Sequence, residues 1–181
     1  CLQSGSEDTL RRMHRFYTAA QFRDMCQRIK QFRPDFNVTT DIIVGFPGET
    51  DASFAESCDF AREMGFSHIH TFKYSVRNGT KAALMPDQVP EKIKAERSEV
   101  MRRISLENKT LYFEQMRGKT QRMLIERIDS RGIARGYGEN YIPIQVKGAG
   151  LQRNTFVDVR LGEILNVNDE DKMMFEGKLT F

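Results

Sequence analysis

The chain has 181 residues, 39% of them hydrophobic, and its 28 Lys and Arg against 25 Asp and Glu leave a formal charge of +3. That length suits one domain, or a moderate domain with an appendage, and no apolar run approaches the roughly 18 residues of a membrane-spanning helix. The small basic excess is compatible with a polyanionic partner and equally with an ordinary surface of mixed charge.

Cys1-Leu2-Gln3-Ser4-Gly5-Ser6 has neither an initiating Met nor a leader pattern and reads as the interior of a domain, so the chain is expected to be a fragment. Thr18-Ala19-Ala20-Gln21 has the spacing of a capping box, and Phe22, Met25, Ile29 and Phe32 follow at helical intervals until Arg33-Pro34-Asp35. Val38 to Val44 predicts a strand, and its nearly continuous apolar character suggests cover on both faces. Thr50 or Asp51 caps the next helix, whose inward side is expected to carry Phe54, Cys58, Ala61 and Met64 before Gly65 stops it. Ile69 to Tyr74 is a further short strand. With a strand end before Gln3, the order is strand, helix, strand, helix, strand, a piece of a parallel α/β barrel or open sheet.

Arg77 to Thr80 is a turn, Pro86 and Pro90 frame a loop, and Glu91 to Met116 is a charged helix with the stripe Ile93, Val100, Ile104 and Leu111. Near Gly118 the period becomes strand-like. Five segments, 123–128, 133–137, 141–146, 156–167 and 173–180, are separated by glycine-rich bends. Five short strands suit a small closed barrel, because closure removes edges. The expected domains are therefore 1–117 and 118–181.

Cys1, Cys26 and Cys58 are far apart and show no metal-binding spacing; Cys26 and Cys58 fall on apolar helix faces as core thiols, and an odd count without a framework points to a reducing, cytoplasmic setting. His68 and His70 alternate on a strand without a third ligand nearby. Among groups that can hold a ligand, Asp41 is the most informative, since a carboxylate among Ile and Val costs several kcal/mol if buried alone. It either faces a pocket or forms a salt bridge, with Arg15 or Arg77 as partners. Gln3 and Ser4 lie in a turn that can hold a carboxylate or ribose or be an ordinary turn. Gly45 and Gly48 allow close backbone approach, while Glu49 either reaches a ligand or favours a helix start. Tyr74, Ser75 and Arg77 offer an aromatic face, a hydroxyl and a guanidinium at one strand end. Met13, Arg15 and Tyr17 can close such a pocket from the side. No Rossmann fingerprint, P-loop, nucleophile elbow or H-E-x-x-H is present.

Taken together, Leu2–Ser6, Met13-x-Arg15-x-Tyr17-Thr18, Thr40–Thr50, Tyr74-Ser75-x-Arg77-x-Gly79-Thr80, Asp87–Pro90 and Lys94-x-x-Arg97 resemble the radical S-adenosylmethionine methylthiotransferases over essentially the whole chain. The resemblance implies the later part of a radical-SAM (β/α) barrel followed by a small all-β TRAM barrel. It implies an S-adenosylmethionine pocket carried over to Gln3, Ser4, Arg15, Asp41, Gly45, Glu49, Tyr74, Ser75 and Arg77, with no catalytic or metal-ligating residue in this chain. Two [4Fe-4S] clusters, one of them on a C-x-x-x-C-x-x-C loop absent here, would be held outside it. A chain without that loop is expected to be inactive alone.

The activity implied for the full-length enzyme is replacement of a C–H bond by a methylthio group, served by a reductant and a sulfur donor. Gly138 to Ile144 is similar to the branch acting on N6-threonylcarbamoyladenosine at tRNA position 37, beside the anticodon. The isopentenyladenosine branch and the ribosomal-protein branch stay open, as does a non-catalytic RNA-binding module. On the last domain Arg117, Lys119, Arg122, Arg127, Arg131, Arg135, Lys147 and Arg153 can meet the phosphates of a tRNA anticodon stem-loop, and Tyr137 or Tyr141 can stack on a base. Each is equally readable as a solvated or packed side chain. Open barrel edges would favour artificial self-association.

Overall fold

The computed structural model describes residues 1–180 and divides into two compact units, Cys1–Lys109 and Thr110–Phe181. The division falls inside the long charged helix, whereas the expected domain limit was 117/118.

The first unit is built on two parallel strands, β1 (Thr39–Val44) and β2 (His68–Lys73), paired from Thr39↔His68 to Val44↔Lys73. The crossover between them is α3 (Asp51–Met64). Thr50 caps it by accepting from the Ser53 N–H, and Gly65 ends it at φ +61°, a conformation that costs glycine nothing. The expected strand at the start of the chain is reduced to one residue. Gln3 bridges β1 in parallel fashion, its N–H donating to Asp41 O and its O accepting from Ile43 N, both at 2.9 Å. Two helices precede β1. α1 (Glu7–Arg12) had no sequence signal, whereas α2 (Ala19–Phe32) has the expected capping box between Thr18 and Gln21.

Three expectations about faces change. On α2, Ala19 and Cys26 are buried while Met25 and Phe32 are exposed, so the inward stripe is narrower than its apolar residues suggested. On β1 only Thr40, Ile42 and Val44 are buried; Asp41 and Ile43 lie on a half-open face. The strand is covered on one side, despite its run of β-branched residues. On α4 (Glu91–Met116) Leu111 is exposed, and the buried positions include Lys94, Arg97, Ser98, Met101, Ser105 and Asn108.

That polar stripe attaches the first part of α4 to its own unit. Arg97 Nη1 donates to Glu49 Oε1 at 2.6 Å and to Glu49 O at 3.1 Å, and its Nη2 reaches Asp51 at 2.7 Å. Ser105 Oγ accepts from Ile69 N on the otherwise unpaired side of β2, and Asn108 Nδ2 donates to Ala61 O. The core beneath contains Leu2, Leu10, Ile42, Val44, Ala61, Phe66, Ile69, Met101 and Ile104.

The second unit contains β3 (Thr120–Ile128), β4 (Ile133–Tyr137), β5 (Pro143–Lys147), β6 (Phe156–Leu165) and β7 (Met174–Leu179). They close into a barrel in the order β3-β4-β5-β7-β6, antiparallel except for the parallel β5–β7 pair. Closure pairs β6 back onto β3. Inside lie Met123, Ile125, Ala134, Ile144, Val146, Val159, Leu161 and Phe175. Phe113, from the last turns of α4, stacks on Phe175 with centroids 4.9 Å apart. Gly136 has no room for a side chain because a Cβ there would strike the Leu124 carbonyl of the neighbouring strand.

Cys26 and Cys58 are buried thiols, and Cys1 is exposed. Burial pushes the Cys58 thiol from 9.0 up to about 11 and raises Cys26 as well. Native protein at pH 8 is therefore expected to release one equivalent in a thiol titration, and three after denaturation. A raised acid pKa means that unfolded thiols ionise before folded ones. Stability attributable to Cys58 is complete below about pH 9 and falls towards pH 11, and Cys58→Ala should flatten that decline in denaturant midpoint. Loss of the ion pair is the second test. Glu49→Ala leaves the buried Arg97 guanidinium with only the exposed Asp51 carboxylate and the residue-49 carbonyl, and should cost about 3 kcal/mol by urea denaturation.

Candidate functional site

A cavity of about 560 Å³ opens on the half-covered face of β1 and β2 and runs past their carboxyl ends. Its wall includes Gln3, Asp41, Ile43, Phe46, Phe72, Lys73, Tyr74, Ser75, Arg77 and Thr80. The period of two along β1 puts Asp41 and Ile43 on one face, and parallel register sets them beside His70 and Phe72. Tyr74 N donates to Val44 O at 2.9 Å, which carries the strand pairing to the rim. The turn beyond is closed by Thr80, whose Oγ1 donates to Arg77 O at 2.8 Å.

Of the nine residues expected to meet a cofactor, five line this cavity: Gln3, Asp41, Tyr74, Ser75 and Arg77. The other four do not. Ser4 is buried, and its Oγ accepts from Ser6 N within its own turn. Gly5 N donates to Ser57 and Ser6 Oγ to Glu56, so this turn docks on α3. Glu49 lies under the loop, where Oε1 accepts from Gly45 N at 2.8 Å as well as from Arg97. Burial raises its carboxyl above the usual range, opposed by the Gly45 N–H and by Arg97. Gly45, at φ +73°, has the stem of Lys94 against its Cα, and Gly48, at φ +80°, has the Arg12 guanidinium there. The close approach at both glycines is made by the chain's own side chains. Arg15 is exposed and absent from the wall, and Tyr17 donates to the carbonyls of Cys1 and Leu2 instead of closing the pocket.

The electrostatics of the wall are incomplete without a guest. Among the described residues, no side chain forms an ion pair or hydrogen bond with the Asp41 carboxylate, so neither Arg15 nor Arg77 is its partner. The Tyr74 hydroxyl is buried without a hydrogen-bond partner. Buried polar atoms are nearly always satisfied, so an orphan at a cavity wall has a bound group as its simplest explanation. Gln3 adopts φ +71°, a left-handed conformation that costs a non-glycine residue about 1 kcal/mol or more and recurs at ligand sites. Phe46 and Tyr74 meet edge to face at 5.2 Å and form one aromatic side.

Residues not picked from sequence are Ile43, Phe46, Phe72, Lys73 and Thr80. Strand alternation would have paired Ile43 and Phe72 with Asp41, had one open face been assumed. Lys94 stood out only within the Lys94-x-x-Arg97 motif, with no role attached to it. It is buried in a charged helix, with Nζ 5.3 Å above the Tyr74 ring and 2.7 Å from Glu91 Oε1. The Lys94 hydrogen bond, aided by Lys73, holds the Glu91 carboxyl below its usual range.

His68 and His70 contact each other at 3.2 Å between ring nitrogens, and among the described residues no group of three His, Cys, Asp or Glu side chains is placed to hold a metal ion. No helix is long and apolar enough to cross a membrane.

On the barrel unit the expected cations divide into engaged and open groups. Arg117 pairs with Glu114 and Glu163, Arg131 and Arg135 share Asp129, and Arg153 donates to Glu126 O. Backbone N–H donation from Ile133, with help from the two arginines, lowers the Asp129 pKa. Arg122 lies over the Phe156 ring at 4.8 Å. Lys119, Arg127 and Lys147 are exposed. Tyr137 and Tyr141 are exposed neighbours, 6.3 Å apart.

A family model described as the Radical SAM superfamily matches residues 2–61. The chain is 37% identical over 166 residues to the threonylcarbamoyladenosine tRNA methylthiotransferase MtaB of Thermotoga maritima, covering 92% of this chain and 36% of that protein. It is 44% identical over 141 residues to the tRNA-2-methylthio-N(6)-dimethylallyladenosine synthase of Pelotomaculum thermopropionicum, covering 77% and 31%. A protein of the same name from Acinetobacter baumannii is 34% identical over 169 residues, covering 92% and 35%. The chain thus spans about a third of the length of the curated relatives it matches.

The packing at Gly45 makes a direct test. Gly45→Ala is expected to destabilise by roughly 2–4 kcal/mol, from left-handed strain and overlap with the Lys94 stem. A double-mutant cycle with Lys94→Ala should then show a coupling of about 1 kcal/mol or more, because the shortened stem removes the overlap.

Proposed function

The chain belongs to the radical-SAM methylthiotransferase family, and from that premise we propose that it is part of a tRNA methylthiotransferase acting on N6-threonylcarbamoyladenosine at position 37. In this reading Cys1–Lys109 is the later part of a radical-SAM (β/α) barrel and the closed five-stranded unit is its TRAM domain. The observation that carries it is the meeting of Asp41, Tyr74 and Arg77 on one cavity at the carboxyl ends of parallel strands, where such folds hold ligands.

The wall suits S-adenosylmethionine. Its volume lies in the usual range for small-molecule sites, roughly 300–1,000 Å³. The aromatic side, Phe46 and Tyr74, offers a surface for the adenine. The Arg77 guanidinium is placed for a carboxylate, and the unpaired Asp41 carboxylate for ribose hydroxyls or the cationic end. Bound there, the cofactor supplies radical chemistry; the residues of this chain bind and orient it. Both [4Fe-4S] clusters, the reductant and the sulfur donor are assigned to the rest of the full-length, cytoplasmic enzyme, since Cys1, Cys26 and Cys58 are dispersed. The isolated chain is therefore inactive, and the partly uncovered β2 edge favours its self-association.

Threonylcarbamoyladenosine is preferred over isopentenyladenosine because of the Gly138–Ile144 segment, which links β4 to the start of β5, buries Asn140, Ile142 and Ile144, and exposes Glu139 and Tyr141. Mass spectrometry of tRNA nucleosides from cells lacking the full gene decides between them: loss of the methylthio derivative of one nucleoside names the substrate, and loss of neither ends the proposal.

Asp41→Ala in the full-length enzyme should weaken S-adenosylmethionine binding about tenfold or more, or lower the 5′-deoxyadenosine yield correspondingly. Unchanged affinity and yield would remove Asp41 from the site. Arg127→Glu and Lys147→Glu should each weaken tRNA binding and reduce its dependence on log salt concentration by about one contact.

A further inference from the structure

Most outward positions of the barrel are polar, with one exception. Register aligns Pro143 with Tyr137, Tyr137 with Leu124 and Leu124 with Phe156, making one apolar row across β5, β4, β3 and β6. Tyr137 and Phe156 are 43% and 58% exposed, so the row is not covered by the barrel's own loops. The interior is already filled by the alternate residues of the same strands, and core packing does not account for these rings.

Both ends of the row are furnished. Tyr141 stands beside Tyr137, 82% exposed, on a backbone at φ +55° that is unfavourable for a tyrosine; its N–H donates to Gly138 O at 3.0 Å. At the other end Arg122 places its guanidinium over Phe156. The surrounding charge is uneven. Between 119 and 153 there are seven Lys and Arg against three acidic residues, whereas from 154 to 181 there are three against six. A polyanion is drawn to the first half, which contributes β3, β4 and β5.

We propose that this aromatic row, from Tyr141 through Tyr137 and Leu124 to Phe156 and Arg122, is a stacking strip for unpaired nucleobases of RNA. The inference rests on the tRNA reading above and deepens it: the barrel selects nucleotides that are splayed out of a helix. Exposed rings beside guanidinium groups stack on any base face, with little regard for sequence. Paired bases keep their faces in the duplex stack and offer only backbone, so duplex RNA meets the cations but not the rings.

The test uses the 181-residue chain and fluorescence anisotropy with a dye-labelled, unstructured RNA octamer, free or annealed to its complement. Tyr137→Ala and Phe156→Ala should each weaken binding of the free octamer by roughly 5- to 100-fold. They should leave duplex binding within about twofold and the salt slope unchanged, because no phosphate contact is removed. Tyr137→Phe, which keeps the ring, should bind like the unaltered chain, and thermal melting checks that each variant is folded. Equal binding of the octamer by the Ala variants, or equal loss on octamer and duplex, overturns the strip while the RNA reading stands. A change in self-association by sedimentation with RNA binding unaltered reassigns the row to a protein interface and also overturns it. Absence of RNA binding by the unaltered chain overturns the tRNA reading, and the strip with it.

Discussion

The buried contact between Arg97 and Glu49 organises the first unit. One guanidinium satisfies a carboxylate, a backbone carbonyl and Asp51, and the same carboxylate receives the Gly45 N–H. Four elements are joined there: the end of β1, the glycine loop, the start of α3, and α4. Burying one unpaired charge costs several kcal/mol, so none of these groups can withdraw alone. The loop geometry that brings Phe46 to the cavity is thus held from beneath. Lys94, one turn earlier on α4, extends the support upward by filling the space beside Gly45 and lying over the Tyr74 ring.

Above that support the cavity is a consequence of strand periodicity. β1 turns Thr40, Ile42 and Val44 into the core, which leaves Asp41 and Ile43 on the other face. The carboxylate is tolerated among apolar neighbours because its face is open, and among the described residues no cation forms an ion pair with it. An unpaired acid, an orphaned tyrosine hydroxyl and a strained Gln3 surround one space. Together they describe a wall shaped for a polar guest with an aromatic part.

The barrel solves a different problem. Sixty residues cannot bury a large core, and closure satisfies backbone groups that an open sheet would leave unpaired. Close strand approach is allowed where Gly136 passes the Leu124 carbonyl, and the last turns of α4 contribute Phe113 to the interior. With the inside filled, the outside is free to diverge in character, and it does so in both charge and aromaticity along the chain.

Much of this architecture is readable from the residues. Thr18 with Gln21, Thr50 and Gly65 mark helix ends through local hydrogen bonding or backbone freedom, which act within a few residues and need no distant partner. The alternation of Val157, Val159 and Leu161 with Asp158 and Arg160 likewise specifies a strand with one apolar face. The site was partly readable for the same reason: Tyr74 and Arg77 follow the end of β2, where parallel sheets gather ligands, whereas Asp41 lies inside β1 and reaches the cavity through strand alternation. Glu49, Ser4 and Gly45 look no different in sequence from ligand residues. Arg97 and Lys94, which meet Glu49 and Gly45, are brought there by long-range packing, and the turn that Ser4 shares with Ser6 is fixed by the docking of Gly5 and Ser6 on α3. The polar stripe of α4 resembled a solvated surface because Lys, Arg, Ser and Asn are usually exposed. Sequence alone therefore determined most of the elements, though not α1 or the single-residue bridge at Gln3, together with their caps and periods, since these are local properties. Only the tertiary structure decided which polar side chains are spent holding the fold and which are left facing a cavity, because that depends on the distant groups that reach them first.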